Sequence, residues 1–177
     1  MSLTDTVIDL VDERTDVAIR SGPLCDSALK ARKLLESRRV IFASPAYLKA
    51  HGVPTRPRDL DGHNCLRFNF RRSLDEWPFR DLSIGEPFTR PVTGNAHGNR
   101  GVILRRLALD GVGLARLGAF HVEHDIADGR LVPVLEDYNA DDIELIHAVY
   151  VGHEHLAARI RTFVDFLADA IGRRTPI

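Results

Sequence analysis

Apolar positions fall along this chain in short blocks whose period switches between two and three-to-four residues. Val7, Ile8, Leu10 and Val11 have the spacing of the closing turns of an amphipathic helix. Asp16-Val17-Ala18-Ile19-Arg20 is a short strand stopped by Ser21-Gly22-Pro23. From Ala28 to Leu35 the chain alternates Leu29, Ala31 and Lys33 with Lys30, Arg32 and Leu34, which predicts an extended segment, and Arg39 to Ala43 is a candidate buried strand. Ser44 is placed to cap a helix whose first residue is Pro45, where a missing N–H costs nothing. Gly52 closes that helix, and Pro54 and Pro57 carry an extended linker to a turn at Arg58-Asp59-Leu60. Cys65 to Phe70 is the next strand, followed by a polar loop and a hairpin of Trp77 to Leu82 with Phe88 to Val92, turned at Gly85.

From Gly98, the spacing of Val102, Leu104, Leu107 and Leu109 predicts a helix ending at Asp110-Gly111, then a strand from Val112 to Arg116. Ala119 to Ala127 is a helix closed by Asp128-Gly129. Leu131 to Leu135 is a strand whose Pro133 places it at a sheet edge, since proline has no N–H for a second neighbour. Ile146 to Val151 is the last strand, and Leu156, Ile160, Phe163, Val164, Leu167 and Ile171 form one helical face. Strands alternating with helices define an α/β chain, with no internal repeat and no low-complexity tract.

Composition narrows the class. The 177 residues suit one domain or two small lobes, and 44% hydrophobic with 28% charged residues is ordinary for a globular protein. The longest apolar runs are strand-sized, and Met1-Ser2-Leu3-Thr4-Asp5 has no basic or apolar leader, so the expected compartment is the cytoplasm. A net charge of −1 with scattered basic residues gives the chain no stripe of its own for DNA. Cys25 and Cys65 have neither disulfide-framework nor zinc-knuckle spacing and read as two reduced thiols, with Cys65 a buried strand residue rather than a nucleophile. Of the eight histidines, His121 with His124 and His153 with His155 are the closest pairs, but no third ligand follows a zinc pattern. No nucleophile elbow and no phosphate-cradling glycine loop occurs, so the expectation is a non-enzyme with no metal and no cofactor.

Four stretches together resemble the effector-binding domain of LysR-type transcription regulators. They are Asp16 to Leu24; Val40 to Leu48 running on through Gly62-His63-Asn64-Cys65-Leu66-Arg67-Phe68; Gly111-Val112-Gly113-Leu114-Ala115 on to Asp128 through Leu135; and Arg161 to Leu167. The resemblance implies a fold like the type 2 periplasmic binding proteins, with two α/β lobes and a small molecule bound in the cleft between them. It also implies a parent protein beginning with a winged helix-turn-helix and a linker helix, neither of which is in this sequence. On this reading the first lobe is incomplete, with residues 1–24 and 146–177 as its remnants, and residues 25–145 are a second lobe. The leading Met-Ser-Leu need not be native sequence.

Ligands of open α/β lobes bind at the carboxyl ends of strands and at helix N-termini, where free N–H groups favour anionic groups. Seven candidate effector-binding residues follow: Arg20 and Ser21, Ser44, Phe68 and Asn69, Asn95 and His97. Five of them have a plainer alternative. Arg20 either pairs a ligand carboxylate bidentately or bridges a surface acid. Ser44 is a helix cap, a role compatible with ligand contact. Phe68 is an apolar wall or core, and Asn95 and His97 are ligand hydrogen-bonders or ordinary loop residues.

The resulting expectation is a non-enzymatic sensor. A small-molecule effector shifts the balance between lobe arrangements, and a homo-oligomeric parent carries the change to DNA through a helix-turn-helix absent here. The alternative is a freestanding solute-binding or small-molecule-modifying protein of the same fold. A secretion signal in the full gene points to transport, and an upstream helix-turn-helix points to regulation. Without the first lobe's early strands, the faces of Val17, Ile19 and the Ile146–Val151 strand are expected to be exposed, so that the chain either self-associates or belongs to a longer molecule.

Overall fold

The structure, a computed structural model, describes residues 15–22, 29–69, 72–151 and 158–172. The chain divides into two compact units, residues 1–37 with 143–177 and residues 38–142. The expected helix over Val7 to Val11, along with Cys25, His153, His155 and Leu156, lies outside the described residues.

In the first unit, strand β1 (Val17–Ser21) pairs antiparallel with β9 (Ile143–Val151), with Ile19 opposite Ala148. Strand β9 stands between β1 and β2 (Leu29–Ala43). Helix α4 (Ala158–Gly172) supplies Val164 to a core shared with Leu34 and Ala148. Ile19 is exposed as expected, but Ala148 and Val149 are buried, so the expected exposure of the last strand fails at its centre. The reason is its middle position in the sheet, with α4 packed on its Ala148 face.

Strand β2 is a single 15-residue strand where the sequence pattern suggested an extended segment and a separate strand. Before Val40 its residues are exposed or half-buried except Leu34, with Lys30 to Lys33 exposed in succession, and only the last four are buried in succession. Each unit takes part of it, the division falling between Ser37 and Arg38.

In the second unit, the end of β2 pairs antiparallel with β7 (Ala115–Gly118) and with β8 (Val132–Val134), and Pro133 faces Phe42. Among the described residues β8 pairs only with β2, the edge position its proline requires. The run Val40-Ile41-Phe42-Ala43 is continuously apolar because both faces are covered. Ile41 and Ala43 enter one core with Tyr47, Leu48, Cys65, Trp77, Phe79 and Leu114. Val40 and Phe42 enter a second core with Leu66, Leu104, Ala115 and Leu131.

Helix α1 (Pro45–His51) begins as its sequence dictates: Ser44 is extended, its Oγ accepts the Tyr47 N–H at 3.3 Å, and Gly52 at φ +86° ends the helix. A 3-10 turn, Pro57–Gly62, follows. Strands β4 (Glu76–Arg80) and β5 (Pro87–Pro91) form the expected hairpin, with Gly85 at φ +75° in the connection. Strand β3 (Arg67–Phe68) is shorter than expected, and Cys65 makes a lone bridge to Leu114. Strand β6 (His97–Gly98) leads into α2 (Gly101–Leu109). The expected strand start at Val112 is instead part of the α2 ending, where the Val112 N–H donates to the Leu107 carbonyl at 3.0 Å. The expected helix over Ala119 to Ala127 is a 3-10 turn, Ala119–His121, followed by a short helix α3 (Glu123–Ala127).

Candidate functional site

Three segments of the second unit run parallel and side by side. The Arg67 N–H donates to the Ala96 carbonyl at 3.2 Å and the Asn69 N–H to the Gly98 carbonyl at 3.1 Å. On the other side, the Leu66 N–H donates to Leu114 at 2.7 Å and the Leu114 N–H to Asn64 at 2.9 Å. The carboxyl ends of β3, β6 and β7 therefore point the same way, and α2 begins just beyond β6. Arg100, the cap residue of α2, makes no side-chain cap hydrogen bond, no acid occupies the first turn, and the Arg100 carbonyl accepts the Ile103 N–H at 3.0 Å.

In a parallel pair, residues in register share a face, and faces alternate along each strand. Phe68 and Gly98 face α2, and Phe68 packs against the core containing Leu66 and Leu104. Arg67 and His97 occupy the other face, and alternation puts Asn69 with them. His97 and Asn69 are exposed. The Arg67 guanidinium donates through Nη2 to His97 Nε2 at 2.6 Å and to the Gly94 carbonyl at 3.5 Å, and through Nη1 to Asp75 Oδ2 at 3.1 Å.

Ser44 and Asn95 lie elsewhere. Because β2 runs against β7, with Phe42 opposite Ala115, Ser44 lies at the amino ends of the parallel strands. Asn95 sits there too, its N–H donating to Asn64 Oδ1 at 2.9 Å. Ser44 is buried and caps α1. The structure thus brings Phe68, Asn69 and His97 together in the β3–β6 pair, with Asn95 two residues ahead of His97, and leaves Ser44 apart as the cap of α1. Arg20 and Ser21 belong to the first unit: Arg20 stands opposite His147, and the Ser21 hydroxyl donates to Glu144.

Sequence reasoning missed two residues. Arg67 carried a signal, as a cation set between the apolar Leu66 and Phe68. Asn64 joins three segments: its N–H donates to the Tyr47 hydroxyl at 2.9 Å, its Nδ2 donates to the Val112 carbonyl at 2.8 Å, and its Oδ1 holds Asn95. Nothing in its local sequence marks this role.

Among the described residues no three His, Cys, Asp or Glu side chains converge to hold a metal, and no helix is long and apolar enough to cross a membrane. His121 lies against Phe120, with ring centroids 4.0 Å apart, and a Cβ on Gly101 would meet its Nε2 at 2.9 Å. In the first unit a shallow cleft of about 370 Å³ is lined by Val17, Ile160 and Phe163, with Asp16 and Arg159 paired at 3.7 Å.

Residues 1–172 match the family model of the LysR substrate binding domain. The chain is 39% identical over 165 residues to the HTH-type transcriptional regulator CrgA of Neisseria meningitidis, covering 93% of this chain and 54% of that protein. It is 34% identical over 173 residues to the HTH-type transcriptional regulator DmlR of Escherichia coli, covering 97% and 55%. Among solved structures, the CrgA regulatory domain superposes with a TM-score of 0.82 at 38% identity, covering 92% of this chain and 78% of that one. The full-length Vibrio cholerae virulence activator AphB superposes at 0.78 with 28% identity, covering 96% and 56%. The chain spans about half the length of the curated relatives it matches. It belongs to the LysR substrate-binding domain family, the effector-binding domain of LysR-type regulators, with their periplasmic-binding-protein-like α/β fold. These relatives are regulators, which favours regulation over a freestanding solute-binding protein.

Proposed function

We propose that this chain senses a small-molecule effector on behalf of a cytoplasmic, homo-oligomeric LysR-type transcription regulator, and that it performs no chemistry on the effector. The relatives are named as HTH-type regulators and the chain covers 54% and 55% of their lengths, which supports a reading in which DNA contact belongs to the remainder of such a protein. Binding that favours one arrangement of the domain is sufficient for such a role, so no nucleophile or general base is needed.

One observation carries the assignment of the site. Asn69 and His97, with Arg67 beside His97, share the face of the β3–β6 pair away from α2, and Asn69 leaves β3 at its carboxyl end. Convergent polar groups there match the general placement of ligands in open α/β sheets. Phe68 supplies apolar surface at the same end. Ser44 and Asn95 are proposed as supports of this unit rather than ligand contacts. Arg20 and Ser21 remain proposed contacts of the first unit, to be tested separately.

The experiment is a thermal-shift screen of the purified domain against small organic acids and their amides. A ligand at about 100 times its dissociation constant stabilises the folded state by about 2.7 kcal/mol. Asn69→Ala and His97→Ala should lose that shift while keeping the unliganded melting temperature. A shift of equal size in both variants would place the effector elsewhere.

A further inference from the structure

The contact between Arg67 and His97 decides what the site offers to a ligand. A guanidinium has only N–H donors and stays protonated in proteins. With Arg67 Nη2 at 2.6 Å from His97 Nε2, that ring nitrogen must be the acceptor and carries no proton. A neutral imidazole has one N–H, so it lies on Nδ1. The second nitrogen's partner thus sets the tautomer of the first.

Arg67 is aimed at the ring by its other contacts. Asp75 Oδ2 holds Nη1, and the Asp75 carbonyl is itself tied to the Val92 N–H at 2.9 Å. The ion pair has one N–H···O contact rather than a fork, since Arg67 Nε and Asp75 Oδ1 are both buried without a hydrogen-bond partner. A guanidinium rotated into a two-point pairing would satisfy both atoms, which is the usual arrangement. Here that pairing is given up while Nη2 stays on His97.

We propose that Arg67 is a positioning residue that holds His97 as its neutral Nδ1–H tautomer, so that the site meets its ligand with a hydrogen-bond donor and takes an acceptor group such as a carboxylate. This rests on the effector reading of the same site and deepens it. An ammonium group would find no acceptor on His97, whose Nε2 is occupied.

The tautomer is read directly from long-range proton–nitrogen correlations of the 15N-labelled domain, in mildly alkaline buffer where imidazole is neutral. Spectra of His97→Gln identify the resonance. The expected result is a bare Nε2 and a protonated Nδ1 for His97, and a shift toward the Nε2–H form in Arg67→Met. Asp75→Asn, which loosens the guanidinium without removing it, should show the same shift to a smaller extent and serves if Arg67→Met does not fold. An Nε2–H ring in the wild-type domain overturns the proposal.

Acetate and methylammonium then test the polarity. Acetate should move the His97 Nδ1 resonance in a saturable way and methylammonium should not, whereas no response to acetate, or equal responses, overturns the ligand class. The tautomer is measured without ligand, so its failure is distinct from that of the effector reading, which the Asn69→Ala and His97→Ala thermal shifts decide.

Discussion

A Cβ on Gly113 would stand 2.2 Å from the carbonyl oxygen of Asn64, closer than two such atoms can come. The contact is built into the sheet, because that same carbonyl accepts the Leu114 N–H at 2.9 Å. The neighbouring segment repeats it, with a Cβ on Gly94 falling 2.0 Å from the Cys65 carbonyl oxygen. Gly113→Ala should therefore push the strands apart and destabilise the domain by about 1–3 kcal/mol or more, the range for overpacked sites. Urea unfolding followed by Trp77 fluorescence measures this, and an unchanged midpoint would show that the strands can separate without loss.

Asn64→Ala should cost a similar amount for the opposite reason. It removes the partners of the exposed Asn95 N–H and the half-buried Val112 carbonyl, hydrogen bonds worth about 0.5–1.5 kcal/mol each. Asn64→Asp should restore the first contact but not the second. Hydrogen exchange at Asn95 should therefore speed up in the alanine variant and stay slow in the aspartate variant.

Asp125 is fully buried, held by Arg105 through two contacts and by Arg130 at 2.8 Å. The two arginines are unequal, since the Arg105 side chain is 30% exposed and that of Arg130 is 53% exposed. Arg105→Ala should cost about 2–3 kcal/mol, somewhat less than the ~3–5 kcal/mol for stripping a buried charge of its sole partner. Arg130→Ala should cost under about 1 kcal/mol, as for exposed pairs. Equal losses in the two variants, measured by denaturant midpoints, would contradict this ordering.

Burial pushes the Cys65 thiol up to about 12, against the pull of Arg67. The thiolate is the reactive form, so Cys65 should be inert toward a thiol reagent in the native domain. In a Cys25→Ser background, labelling should appear only on denaturation. Rapid native labelling would show that the strand opens far more readily than its packing implies.

Burial first, and then the neighbouring His51, hold His63 below the ordinary imidazole value, with Asp59 opposing them. The Tyr47 hydroxyl accepts the Asn64 N–H at 2.9 Å and has its own proton for His63 Nδ1 at 3.2 Å, an arrangement that needs neutral His63. Above the ordinary value of 6.5, His63 is neutral folded and unfolded, and its contribution is fully present. As pH falls from there toward the lowered folded value, the unfolded chain takes up a proton that the folded one resists, and stability declines. His63→Gln should flatten that part of the stability–pH curve, and an equally steep decline in the variant would assign the dependence to other groups.

Local rules made part of this fold legible in advance. Ser44-Pro45 and Gly52 bound α1 because caps and helix stops act within one turn of chain. Gly85 lies in the β4–β5 connection because a positive φ suits a residue without a side chain. Where the reading slipped, a neighbour distant in sequence had intervened. Cys65 to Phe70 has strand composition, but among the described residues only Arg67 and Phe68 pair with β6, and Cys65 makes a lone bridge to Leu114. The apolar character of Val112 suggested a strand, but its N–H closes α2.

The site divides in the same way. Its residue types and their placement after strands are properties of the sequence, and so is the family to which the four matching stretches point. Which candidates stand together was decided by the direction of β7 against β2 and of β3 beside β6, which carries Ser44 to the amino side of the parallel strands and sets Asn69 beside β6 with His97. Arg67 meets His97 across 30 residues of chain, and Asn64 meets Val112 across 48. Such pairs form only when sheet register sets two backbones side by side, and a hydrogen bond requires that placement to within a few tenths of an ångström. Helix caps and turns need only their own neighbours in sequence, so they could be read before the sheet was known.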